Sequence, residues 1–154
     1  NFGVDIATKA IIGEPKKLHF GDWCSQGYTN YPGGMIYKEK VELNIKEGQR
    51  VYINLGEYKA TTVAVWVNGH IAVHIPWRAA NRVDITEFLH DGVNEIGVEI
   101  MGSPRNMLGP LHQKNGKQAW TSSYSFRTTG NEFTPAEVLV PQGSFGQIKL
   151  SIEE

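Results

Sequence analysis

The stretch TVAVWVNGHIAVHIPW, residues 62–77, decides the fold. Val63, Val65 and Val67 alternate with Ala64 and Trp66. After Asn68-Gly69, Ile71, Val73 and Ile75 alternate with Ala72 and His74. Alternation with period two and a β-branched majority describes a strand with one buried face. An Asn-Gly pair between two such runs is a strong signal for a two-residue hairpin, because both turn positions take positive φ. Residues 62–76 therefore predict an antiparallel hairpin. Pro76 ends it, since proline cannot donate to a sheet ladder.

The same pattern recurs outward from the hairpin. Upstream, KVELNI sets Val41, Leu43 and Ile45 on one face, and RVYINLG sets Val51, Ile53 and Leu55. Downstream, NEIGVEIMG sets Ile96, Val98 and Ile100, and GQIKLSI sets Ile148, Leu150 and Ile152. Turn signals separate the runs: YPGG at 31–34, KEGQR at 46–50 and Asp91-Gly92. Short strands at this spacing predict an all-β antiparallel sandwich. The one helical candidate, DITEFLHDG at 84–92, amounts to at most two turns, with Asp84 or Thr86 to cap it and Gly92 to end it.

The chain has 154 residues, 40% hydrophobic and 20% charged, with a formal net charge of −1. That is room for a single domain spanning 1–154 with its own core. The near-neutral balance lacks the basic footprint of a nucleic-acid binder. No apolar run approaches the roughly 18 residues of a membrane span. The lone Cys24 can form no disulfide within the chain and reads as a buried small side chain. The chain opens mid-pattern on NFGVDIATKA, as a segment cut from a larger protein would.

Residues 20–34 and 102–135 carry no periodicity, yet they are rich in Trp, Tyr, Arg, Asn and Gly, which is not a disorder composition. Long loops of this kind in a compact domain are commonly functional.

Together, GDWCSQGYTNYPGGMIYKEKVEL (21–43), INLGEYKATTVAVWVNGH (53–70), WR (77–78) and VDITEFLHDGVNEIGVEIMGSPRNMLGPLH (83–112) form an ordered pattern. It is an aromatic-Gly entry strand, an LGE strand end, a V-W-V-N-G hairpin, a D-I-T-x-x-L-x-x-G-x-N turn and an apolar strand. This pattern resembles the galactose-binding-like jelly rolls attached to bacterial glycoside hydrolases. It is closest to the sugar-binding domains of the β-galactosidase/β-glucuronidase type and the accessory domains of rhamnosidase-like enzymes. The resemblance runs from about Trp23 to Ile152. It implies a jelly-roll sandwich within a multidomain, polysaccharide-degrading enzyme, extracellular, periplasmic or on the cell surface. It implies a non-catalytic role: binding a plant poly- or oligosaccharide, or else bracing a catalytic barrel without touching sugar. Many members of this fold carry a structural calcium, but no acidic cluster here resembles a calcium loop. No cofactor is implied.

Candidate ligand contacts follow from side-chain chemistry. A Trp face can stack on the C–H face of a pyranose. An Arg supplies fixed donors for hydroxyls. Trp77 and Arg78 fall just past a strand end, where sandwich loops gather. Arg105, Asn106 and His112 sit on GSPRNMLGPLH (102–112), stiffened by Pro104 and turned by Gly109-Pro110, with Met107 and Leu108 expected to point inward. Trp120 stands alone in the polar run KQAWTSSYSF. Trp23, Tyr28 and Tyr31 form a secondary group, of which at least one ring is expected in the core. Trp66 reads either as a sugar platform or as packing.

Hydrolysis needs two carboxylates facing across the bond. Asp22, Glu57, Asp84, Glu87, Asp91 and Glu132 each read better as caps or solvated residues. His70 and His74 would share a strand face, but no third metal ligand stands near them in sequence.

Overall fold

The computed structural model describes residues 2–76, 81–116 and 120–154. They divide into two compact units, one of residues 1–33 with 103–142, the other of residues 34–102 with 143–154. Strands β1 (Phe2–Val4) and β2 (Ile11–Gly13) form an antiparallel pair in the first unit. The second unit holds β3 (Gly34–Leu43), β4 (Arg50–Asn54), β5 (Tyr58–Lys59), β6 (Thr62–Val67), β7 (His70–Pro76), β8 (Arg82–Asp84), β9 (Gly92–Met101), β10 (Gly143–Ser144) and β11 (Lys149–Glu153). These build a four-stranded sheet in the order β3-β9-β6-β7, a three-stranded sheet β11-β4-β8 and the short pair β10-β5, all antiparallel. The protein is all-β and of sandwich character, as the alternation predicts. No helix among the described residues is long and apolar enough to cross a membrane.

The alternating residues make the core of the second unit. Val63, Val65, Val67, Ile75, Ile96, Val98 and Ile100 bury one face of the four-stranded sheet, and Val51 and Ile53 bury one face of the smaller one. Each such side chain contributes about 1.5–3 kcal/mol when fully buried. The hairpin turn forms at Asn68 (φ 50°) and Gly69 (φ 83°), as Asn-Gly requires.

Asn68 also serves beyond the turn. Its Nδ2 donates to Asn94 Oδ1 (2.9 Å), and its Oδ1 accepts the Glu95 N–H (3.0 Å). Asn94 is fully buried and returns bonds from Nδ2 to the carbonyls of His90 and Gly92. A polar side chain is thus tolerated in an apolar strand because its hydrogen-bonding groups have partners.

The alternation prediction fails at Ile152, which is exposed near the end of β11, and at Ile71. Ile71 is exposed, whereas Val73 and Ile75 keep the expected face. A bulge lets Val65 pair with Val73 but Trp66 with Ile71, leaving Ala72 extra. That extra residue breaks the period of two and turns Ile71 outward. Trp66, on the outer face, is half-buried and donates from Nε1 to Glu99 Oε2 (2.8 Å). The helical candidate at 84–92 shrinks to the single 3-10 turn Thr86–Phe88, whose N-cap is Ile85 without a side-chain cap bond and whose C-cap is Leu89; Asp84 Oδ1 accepts the Thr86 N–H (3.0 Å).

The first unit is built differently. Its core holds Trp23 and Cys24 beside Thr29, Asn106, Gln113 and Gln142, all buried. Side-chain amides replace sheet ladders there. Asn106 Nδ2 donates to the Val140 carbonyl and its Oδ1 accepts the Val140 N–H, both at 2.8 Å. Gln142 bridges Ser103 in the same two-way fashion, at 2.6 and 3.2 Å. Trp23 N–H donates to the Gln142 carbonyl (2.8 Å), and Asp22 Oδ1 accepts from both Cys24 N and Gln142 N (3.1 Å each). Segment 140–142 is therefore stapled to 22–24 and 103–106 by groups that leave no periodic trace in sequence.

Candidate functional site

Trp77 and Arg78 lie outside the described residues. Trp66 and the His70/His74 pair lie in the second unit; the remaining candidate ligand contacts fall in the first unit, and the structure gives them unlike roles. Trp23, at 1% exposure, is the unit's largest buried side chain rather than a ligand platform. Asn106, expected to hold hydroxyls, is buried, and both ends of its amide are spent on Val140. Arg105 begins the one-turn helix α1 (Arg105–Leu108) and curls back so that Nη2 donates to the Pro110 carbonyl (2.8 Å). A Cβ on Gly109 would stand 2.6 Å from Arg105 Nη1, so only glycine admits this clamp. Burial lowers the Arg105 pKa. Met107 and Leu108, expected inward, are exposed, Leu108 by 67%. A single turn has little face to bury, and Asn106 occupies it.

Tyr28 and Tyr31 meet edge to face at 6.0 Å, and the Tyr28 hydroxyl donates to the Pro15 carbonyl (3.2 Å). His112 is exposed and tilts against Phe133 at 6.1 Å. Trp120 is 86% exposed. Cys24 is buried, as expected. Burial, with the Asp22 charge adding to it, pushes its thiol up to about 12.

Residues 112–114 and 132–134 meet as the closed base of a loop. Gln113 and Phe133 make a bridge, flanked by Lys114 N–H to the Glu132 carbonyl (2.9 Å) and Thr134 N–H to the His112 carbonyl (3.0 Å). Inside it, a 3-10 turn, Ser123–Phe126, is fixed at its start by a capping box between Ser122 and Ser125. Gln113 Nε2 anchors the turn from below through the Ser125 carbonyl (2.8 Å). Tyr124, 65% exposed, projects from the turn, and the Arg127 guanidinium stacks over its ring at 4.0 Å. Lys114 Nζ holds the far limb at the Asn131 carbonyl (2.6 Å).

These elements enclose an open cavity of about 300 Å³ lined by Gln113, Tyr124, Arg127, Thr129, Asn131 and Glu132, among others. An aromatic ring, a guanidinium, a hydroxyl, an amide and a carboxylate thus converge on a pre-formed loop. That is the composition of a site for a small polar ligand with an apolar face.

None of the candidate ligand contacts named from sequence lines this cavity, but Glu132, read from sequence as a cap or solvated carboxylate, does. Trp120 precedes Tyr124 by four positions, and His112 adjoins Gln113. Tyr124, Arg127 and Asn131 escaped sequence reading, although SSYSFRTTGNEF shows the same mixture of aromatic, Arg and amide that drew attention elsewhere. Only the closure of 112–114 on 132–134 reveals that these residues share a cavity. A larger cavity of about 540 Å³ lies in the second unit, between Arg50, Asp84 and Phe88. There Arg50 Nη1 pairs with Asp84 Oδ2 (2.8 Å), Asp84 Oδ1 accepts from Thr86, and Glu87 adds a second carboxylate to the lining. Among the described residues, no three of His, Cys, Asp and Glu group to hold a metal ion.

The chain matches no protein-family model and no curated protein. Solved structures do resemble it. A rhamnosidase from Novosphingobium sp. PP1Y superposes with a TM-score of 0.58 at 22% identity, over 94% of this chain and 13% of that one. An FMN-binding β-glucuronidase from Facaelibacterium prausnitzii L2-6 superposes with a TM-score of 0.50 at 18% identity, over 99% of this chain and 21% of that one. At these identities the likeness is one of fold. The chain spans a minor portion of the two glycoside hydrolases that share it.

Proposed function

We propose that this chain is a non-catalytic accessory module of a larger glycoside hydrolase, and that it binds carbohydrate at the Tyr124 cavity. The observation that carries the reading is the exposed Tyr124 ring beside Arg127, Asn131 and Glu132 on a loop braced at both ends. A sugar offers such a site a C–H face for the ring and hydroxyls for the polar rim. Trp120, nearby in sequence and open to solvent, supplies a second ring. Bracing lowers the ordering cost of binding. A shallow, wet cavity still gains little, so the affinity belongs in the range of about 10 µM to 1 mM. The cavity offers one carboxylate, Glu132, where hydrolysis needs a facing pair. The parent protein is, in this reading, a polysaccharide-degrading bacterial enzyme working outside the cytoplasm.

A second reading has its own observation. Met107, Leu108, Phe126 and Phe20 in the first unit are all exposed. Apolar side chains left open to solvent suit a module that braces a neighbouring domain of its parent without holding sugar.

Native electrophoresis in gels containing soluble xylan, pectin, galactan or mixed-linkage glucan separates the two. Carbohydrate binding predicts retarded migration in at least one gel and its recovery in a Tyr124→Ala variant. Unretarded migration in every gel leaves bracing as the better account.

A further inference from the structure

The Tyr124 cavity holds two opposite charges that do not neutralise each other. Arg127 and Glu132 both line it. Among the described residues, neither forms an ion pair with the other or with any third group. The Arg127 guanidinium carbon sits over the Tyr124 ring, 4.0 Å from its centroid. A guanidinium so placed still has N–H donors to offer a ligand oxygen. The exposed Glu132 carboxylate accepts no hydrogen bond from a described residue; only its backbone carbonyl is engaged, by Lys114 N–H. Thr129 and Asn131 add one hydroxyl and one amide between them.

A donor ion and an acceptor ion thus line the same open cavity. A ligand that satisfies both must donate to one and accept from the other. Adjacent hydroxyls do this: one donates to the carboxylate while its neighbour accepts from the guanidinium. A sugar bearing its own carboxylate would pair with Arg127 but would meet Glu132 as a like charge.

We propose that Glu132 makes the cavity selective for neutral, hydroxyl-rich sugars and turns away their uronic acid counterparts. The proposal rests on the carbohydrate-binding reading of the same cavity and goes one step past it, to the class of sugar and the residue that chooses it.

The test uses matched pairs that differ only at C6: methyl β-glucoside against methyl β-glucuronide, and methyl β-galactoside against its galacturonide. Binding is followed by ¹⁵N–¹H chemical-shift titration to tens of millimolar. The proteins are wild type, Glu132→Gln and Tyr124→Ala, and their spectra also report whether each folds. Wild type should bind the neutral member of at least one pair, and the uronide about tenfold more weakly, the scale of one partly exposed like-charge contact. Glu132→Gln keeps the shape and removes the charge, so it should hold the neutral sugar within a few-fold and close the gap. Equal affinities in wild type, a uronide preference, or an unchanged gap in Glu132→Gln would overturn the proposal while leaving carbohydrate binding intact. No binding of any sugar by the folded wild type would overturn both. Tyr124→Ala should lose both members of the pair together.

Discussion

The residues that matter most in the first unit are those whose side chains act as backbone. Asn106 and Gln142 each pair with a distant strand-like segment through both ends of an amide, and Cys24 sits among them, taking a hydrogen bond from Asn106 Nδ2 (3.1 Å). The thiol gains from this position only as a small buried group. Its pKa, raised to about 12 chiefly by burial and secondarily by the Asp22 carboxylate, leaves almost no thiolate near neutrality. Native protein at pH 8 should therefore react with iodoacetamide more than about 100-fold more slowly than the urea-unfolded chain, because only the thiolate attacks. Mass spectrometry of timed samples measures this, and comparable rates in the two states would place Cys24 at the surface. Residue chemistry alone forecast the burial of Cys24. It could not forecast that of Asn106, whose partner at Val140 lies 34 positions away. A polar residue on a stiff loop looks the same in sequence whether it meets a ligand or a backbone.

At the scale of elements, the strands were legible and the loops were not. Alternation located β6, β7 and β9 of the four-stranded sheet and only the end of β3, and it erred at the exposed Ile152 and at Ile71, where one extra residue inverts the face. The failure is physical: a bulge is a pairing property of two strands, and neither strand's own pattern records it. The loops escaped for a related reason. Their order comes from contacts such as Gln113 with Phe133 and Trp23 with Gln142, which no period announces.

Glycines do mark some of these approaches. A Cβ on Gly146 would lie 2.5 Å from the Glu57 backbone nitrogen, and Gly146 N–H donates to the Glu57 carbonyl (2.8 Å). The clash is with backbone, which cannot swing aside. Gly146→Ala should therefore destabilise the second unit by about 1–3 kcal/mol, the usual cost of overpacking, read as a lowered urea midpoint. By contrast, Gly48→Ala meets no atom within 4 Å and answers only for its positive φ of 85°. An unchanged urea midpoint in Gly146→Ala would mean that the approach of Gly146 to Glu57 costs nothing.

At the scale of the whole molecule, the fold recurs as 13% and 21% of two glycoside hydrolases of otherwise much greater length. Fold and function separate at this point, because one sandwich can hold sugar or merely hold a neighbour. The second unit carries the sheets that sequence could read. The first carries the exposed rings and the cavity, and so the functional question. The most direct measurement is a fluorescence titration of the purified chain with plant mono- and oligosaccharides to tens of millimolar, with Trp120 as the solvent-exposed reporter. Carbohydrate binding predicts a saturable change for at least one sugar, abolished in a folded Tyr124→Ala variant. A flat response to every sugar, or an equal response in Tyr124→Ala, would contradict it.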